Sequence, residues 1–171
     1  MNVSDQYSYS MGLEAARHFV RLDAQKVILA VRTISKGETA KKSIEESEKR
    51  TDVVEVWELN PSSFASVKEF ASKSQSLERL DVLVENAGMY TFNFKMAEDN
   101  ERTITVNVVS TFLLALLLLP KLRETALAVK KPSELNFTGS FVHKLTKFPE
   151  RENEHIFAGL AKKESARMND R

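Results

Sequence analysis

With 171 residues, 42% of them apolar and 29% charged, the chain is long enough for one domain with a sizeable buried core and too apolar to be disordered. The 25 Lys and Arg against 24 Asp and Glu leave a net charge of +1, which provides no electrostatic footprint for nucleic acid or an anionic membrane, so neither is an expected partner. The absence of Cys excludes disulfides, thiolate metal sites and Cys nucleophiles; together with a start, Met1-Asn2-Val3-Ser4-Asp5, that has neither a basic nor an apolar segment, it sets the cytoplasm as the expected location.

In chain order, Leu13, Ala16, Phe19 and Val20 repeat at helical spacing behind Gly12, and Lys26-Val27-Ile28-Leu29-Ala30-Val31 predicts a continuous apolar strand ending at Arg32. Ser35 is the expected N-cap of a polar helix reaching about Arg50, with Ala40 and Ile44 inward, and Val53-Val54-Glu55-Val56-Trp57 is the next expected strand. The turn Asn60-Pro61-Ser62 predicts a third helix with Phe64, Val67, Phe70 and Ala71 on one face. Residues 80–84 predict a short strand, 90–96 a loop, and 97–130 one long helix. That helix is apolar nearly all round between Val106 and Leu119, which predicts burial on every side. Its apolar run, interrupted by Ser110 and Thr111 and closed by Pro120, is far shorter than the roughly 20 residues a membrane span needs. Glu134-Leu135-Asn136-Phe137-Thr138 predicts a last strand arriving at Gly139-Ser140, and the polar tail beyond it has only a weak helical pattern over 156–168. Strands alternating with helices predict an α/β fold with a parallel sheet in a single unit over residues 1–171.

One stretch carries most of the chemical information. The strand before Asn86 runs straight into Asn86-Ala87-Gly88, and Asn107 follows at the head of the apolar helix. A strand of a parallel sheet that stops in a Gly-bearing turn is what ligand approach at the carboxyl edge requires, because Gly88 lets backbone come close to a bound group. This pairing resembles the short-chain dehydrogenase/reductase family, which carries Asn-Asn-Ala-Gly after its fourth strand and a structural and catalytic Asn in the next helix. The resemblance implies a Rossmann-type doubly wound parallel sheet in strand order three-two-one-four-five-six-seven. Here it is incomplete, with the first strand degraded and the last strands missing.

The resemblance also assigns residues. Gly12 stands at the last Gly of the family's Thr-Gly-x-x-x-Gly-x-Gly loop, with Ser10, Gln6 and Asp5 at the other marked positions and residues 1–4 in place of the strand before it. Side chains there obstruct the approach of backbone N–H groups to a pyrophosphate, and a Gly before a helix is also ordinary structure. Arg32 follows the second strand, where a basic residue implies NADP over NAD, unless it is simply a solvated surface Arg. Asn60 stands where relatives carry an Asp that touches adenine, and Asn86, Ala87 and Gly88 complete the cofactor side, with Glu85 replacing the family's first Asn. A buried carboxylate at that place is costly unless paired.

On the catalytic side, Asn107 matches the helix Asn that supports the catalytic Lys through water, or it merely mends a helix kink. Ser140 matches the Ser that bonds the substrate carbonyl, although Gly-Ser is also common turn chemistry. The family's Tyr-x-x-x-Lys pair is absent: no Tyr follows Tyr90, and neither Lys162 nor Lys163 has a Tyr four residues ahead, so the pair is expected outside this chain. His18, His143 and His155 make no metal pattern. The expected function is therefore NADP-dependent hydride transfer at a carbonyl or alcohol of a small hydrophobic molecule, with this chain alone weakly active or inactive. The alternative is a non-catalytic interaction protein that forms homo- or hetero-oligomers through the apolar helix around Phe112 and Leu119.

Overall fold

The computed structural model describes residues 3–166 and Met168. Its first element is a helix, α1 (Val3–Arg21), followed by β1 (Val27–Val31), α2 (Ile34–Glu48) and β2 (Val54–Glu58). The expected strand at residues 1–4 is corrected: Met1 and Asn2 lie outside the described residues, and from Val3 the chain is already helical. Ser35 does not cap α2. Thr33 occupies the N-cap without a side-chain bond, and Lys49, in the left-handed region at φ 55°, ends the helix.

The β1 and β2 strands pair in parallel, Val27 against Val54 through Val31 against Glu58. Alternation along β1 sends Val27 and Leu29 to one face, where they pack with Ala16, Val20, Ile44, Val53 and Val54. Polar bonds reinforce that layer: the Arg17 guanidinium donates to the Ser43 carbonyl at 3.0 Å, and Arg21 makes two bonds to Glu48 at 3.0 and 2.9 Å. The hydrogen bond from Arg21 holds the Glu48 carboxyl below its usual range.

Ile28 faces the other way, into a second core formed by Trp57, Leu59, Val67, Phe70, Ala71, Leu114 and Leu118, with Leu83 packed against it. Its helices are α3 (Phe64–Ser74), capped by a bond from Ser66 N–H to Ser63 Oγ, and α5 (Thr111–Val129). Helix layers on both faces of parallel strands make the fold a doubly wound α/β arrangement.

Between α3 and α5 lie β3 (Val82–Glu85), a small antiparallel hairpin β4 (Met96–Ala97) and β5 (Asn100–Glu101), and one turn of helix, α4 (Arg102–Ile104). The hairpin and the later start correct the expected helix from 97. Thr105–Ser110 then widens into a π-helical turn, so the helical run Arg102–Val129 is continuous over 28 residues, and by length and composition it could cross a membrane. It does not close at Pro120, which lacks the N–H that would bond Leu116; Gln75 Nε2 donates to the neighbouring Leu117 carbonyl at 3.4 Å. Nor is it buried all round: Leu114, Leu118 and Leu122 are in the core, while Phe112 and Leu116 are 54% and 66% exposed.

The last strand, β6 (Glu134–Phe137), pairs in parallel with β3, Val82 against Glu134 through Glu85 against Phe137. The parallel strands therefore form two separate pairs, β1 with β2 and β3 with β6, and among the described residues no ladder joins β1 to β3. Past β6 the tail is short turns and α6 (Ile156–Leu160); the weak pattern expected over 156–168 ends as helix at Leu160, and Arg167 lies outside the described residues.

Candidate functional site at the carboxyl edge

α1 leads through a short connection into the amino end of β1, so the two run in opposite directions and Gly12 lies toward the carboxyl edge of the strands. Gly12 indeed meets the turn after β3: a Cβ there would stand 2.8 Å from Asn86 Nδ2. The carboxyl ends of β1 and β3 consequently face the same way. Four of the residues singled out in the sequence sit at these ends, with Arg32 directly after β1, Asn60 two residues past β2, Asn86 directly after β3 and Ser140 three past β6.

The turn itself is held from three sides. Asn86 Oδ1 accepts from Thr138 Oγ1 at 3.3 Å across the β3–β6 pair, and Gly12 leaves room for its amide nitrogen. Asn107 supplies the third hold: its Oδ1 accepts from Met89 N–H and its Nδ2 donates to the Met89 carbonyl, both at 2.8 Å. A side-chain amide presenting one donor and one acceptor to a peptide unit copies a strand pairing. Asn107 lies inside the π-helical turn, and such a turn is a common place for a functional side chain because it re-aims one residue out of the helical ladder. Gly88 faces Asn107, its position lying 3.6 Å from Oδ1 if a Cβ is added, so its place there does not depend on lacking a side chain.

Glu85, at the end of β3, is buried and its Oε1 has no partner among the described residues. Burial pushes its carboxyl up to about 7, well above the usual carboxylate range. Ser140, Ala87 and Arg32 are exposed, as is Asn60, whose Oδ1 accepts from Ser62 N–H at 3.1 Å and closes a local turn.

Beside Asn107 is a cavity of about 210 Å³, walled by Ile104, Val108, Phe148 and Leu160 with Glu150 at its side. Phe148, Glu150 and Leu160 come from the tail that carries no strong sequence signal. Leu160 is buried there, at 5% exposed. Thr138, missed in the sequence, was legible only as the residue after β6. Likewise Glu101 is fully buried, its Oε2 accepting from Thr103 N–H at 2.9 Å to cap α4.

The fold defines a class, a doubly wound α/β protein of Rossmann type, and the comparisons make it particular. Residues 8–130 match the short chain dehydrogenase family, and the chain belongs to it. The short chain dehydrogenase atnD of Emericella nidulans is 49% identical over 163 residues, which is 94% of this chain and 52% of atnD. A metagenomic short-chain oxidoreductase solved in complex with NADP is 26% identical with a TM-score of 0.61, covering 77% of this chain and 58% of that one. The NADH-dependent reductase A1-R′, solved with NAD, shares the fold at 22% identity and a TM-score of 0.62, over 88% of this chain and 60% of its own. This chain thus spans about half the length of the curated relative it matches.

Whether a dinucleotide fits depends on which end of it is considered. Arg32 and Asn60 are exposed at the carboxyl edge, and side chains of this kind suit a nucleoside and its phosphate. The diphosphate cradle does not form in this conformation. From residue 7 on, the N–H groups belong to the ladder of α1, and Gly12 is in mid-helix rather than at the end of a loop.

Proposed function

We propose that the chain carries the cofactor-facing part of an NADP-dependent oxidoreductase that acts on a carbonyl or alcohol of a small hydrophobic molecule in the cytoplasm. The observation that carries this reading is the Asn86 turn clasped between Gly12, Thr138 and Asn107 at the carboxyl edge, within a chain of this family. In this reading Arg32 meets a 2′-phosphate, Asn60 the adenine, and Asn86, Ala87 and Gly88 the ribose and nicotinamide end. Ser140 polarises the substrate oxygen, and Asn107 acts as a positioning residue through Met89. The apolar walls of the cavity beside Asn107 suit a hydrophobic substrate. Because no Tyr follows Tyr90, the chain alone has no phenol to exchange the substrate proton, and little or no hydride transfer is expected from it.

Fluorescence titration of the purified chain with NADPH and NADH tests the cofactor reading. NADPH is expected to bind about tenfold more tightly than NADH, and Arg32→Glu to erase the difference. Equal affinities in the unaltered chain would remove NADP from the proposal. An oligomer through the apolar helix is a second reading, favoured by the exposed stripe Val108, Phe112 and Leu116 at a spacing of four. A monomer by light scattering would exclude it.

A further inference from the structure

The two-residue turn between β4 and β5 holds Glu98 at φ 52°, in the left-handed region where Gly is the usual occupant. From there the Glu98 carboxylate reaches a segment far earlier in the chain: its Oε1 accepts from Phe64 N–H at 2.7 Å. Phe64 is the first residue of α3, where backbone N–H groups have no partner within the helix. The first turn of α3 has no acidic residue of its own. Glu98 therefore supplies from a distance the negative charge that a helix start favours, through a charge-assisted bond.

The turn anchored by this bond is the one that carries Asn60. Asn60 N–H donates to Ser66 Oγ at 2.9 Å, its carbonyl accepts from Ser63 N–H at 3.0 Å, and its Oδ1 accepts from Ser62 N–H at 3.1 Å. Asn60 is thus tied to residues on both sides of Phe64, and its Nδ2 is the donor it turns toward a ligand. On its other side the hairpin is bonded to the start of the helix that bears Asn107: Arg102 N–H donates to the Lys95 carbonyl and Thr105 Oγ1 to the Ala97 carbonyl, both at 2.7 Å. The hairpin is a strut between the Asn60 turn and the π-helical turn, and Glu98 makes its bond to α3.

We propose that Glu98 is a positioning residue for the adenosine half of the dinucleotide: by latching the start of α3 to the hairpin, it holds the Asn60 turn where the base docks. This rests on the cofactor reading above and deepens it, adding a residue that belongs to none of the motifs at the carboxyl edge. Glu98 acts through the Phe64 N–H and not by contact with the nucleotide. Residues held in the left-handed region cluster at ligand clamps, and here the backbone angle aims the carboxylate at α3.

The test is calorimetric titration of the full chain with adenosine 2′,5′-bisphosphate, which carries the base, the ribose and the 2′-phosphate and lacks the nicotinamide. Glu98→Gly suits the positive φ and removes the carboxylate, and it is expected to weaken binding by about fivefold. Glu98→Gln keeps an acceptor oxygen at the same reach and is expected to weaken it by less than about twofold. Amide exchange in Glu98→Gly is expected to quicken by about fivefold at Phe64 and to stay unchanged over residues 54–58. Equal affinity of Glu98→Gly and the unaltered chain, or a Gln variant as weak as the Gly variant, would overturn the proposal. So would lost protection over residues 54–58, since the residue would then merely support the fold. Failure of the unaltered chain to bind the bisphosphate would remove the cofactor reading and the proposal together, whereas the other outcomes strike the latch alone.

Discussion

The two strand pairs differ in kind. The β1–β2 pair is packed for stability: Val54 is 1% exposed, Ile44 beside it is fully buried, and arginines of α1 clamp α2 from outside. The β3–β6 pair is loosely covered and polar at its end, with Phe137 46% exposed, a buried Glu85 and the Asn86 turn. The contrast teaches that stability and candidate chemistry are divided between the two strand pairs. Polar groups that would serve a ligand cannot also be close-packed, and the half that carries them gives up burial.

Truncating the packed half breaks the comparison most. Ile44→Ala is expected to cost about 3 kcal/mol in urea unfolding, because it leaves a cavity where no side chain can collapse. A similar loss from Phe137→Ala would mean that the halves are not different.

Glu85 sharpens the contrast through pH. Its folded carboxyl keeps the proton up to about 7, while the unfolded one releases it near 4.5. Between those values the unfolded state binds fewer protons, so stability falls as pH rises, by on the order of 3 kcal/mol, and is level above and below the window. Urea midpoints against pH should show this slope in the unaltered chain and lose it in Glu85→Gln. A flat profile in the unaltered chain would place the carboxyl in water.

Smaller effects follow at the clasp and at the surface. Asn107→Ala removes two bonds to Met89 and is expected to cost about 1–2 kcal/mol, with faster proteolysis between residues 89 and 96 as the local readout. Gly12→Val should leave β1–β2 exchange protection unchanged while altering the Asn86 side-chain amide resonance, since the added carbons meet that amide. Phe137→Ala, at an exposed ring stacked on Phe112 at 5.2 Å, is expected to cost less than about 1 kcal/mol.

Much of this was legible locally. The run Val27-Ile28-Leu29-Ala30-Val31 reads as a strand because a short unbroken apolar run suits one lying between helix layers, although Ala30 is exposed and its neighbours are only half-buried, and the Asn86-Ala87-Gly88 turn with Asn107 pointed to the family. Elements at the limits of such patterns were not legible. Ser35 looks like a cap, yet Thr33 takes the position because helix starts depend on where the preceding strand releases the chain. The run from Val106 to Leu119 looks buried all round, yet Phe112 and Leu116 face outward, because burial depends on neighbours and not on the residue's own character.

The sequence by itself determined the α/β order, the membership in the short chain dehydrogenase family and the residues at the carboxyl edge, since these rest on short-range periodicity and turn chemistry. Only the tertiary structure decided that β1 and β3 do not pair, that Gly12 makes room for Asn86, that the tail closes a cavity beside Asn107, and that burial raises the Glu85 carboxyl. The physical reason is common to all four: pairing, close approach and desolvation are set by groups distant in sequence, and no local pattern records which of them meet.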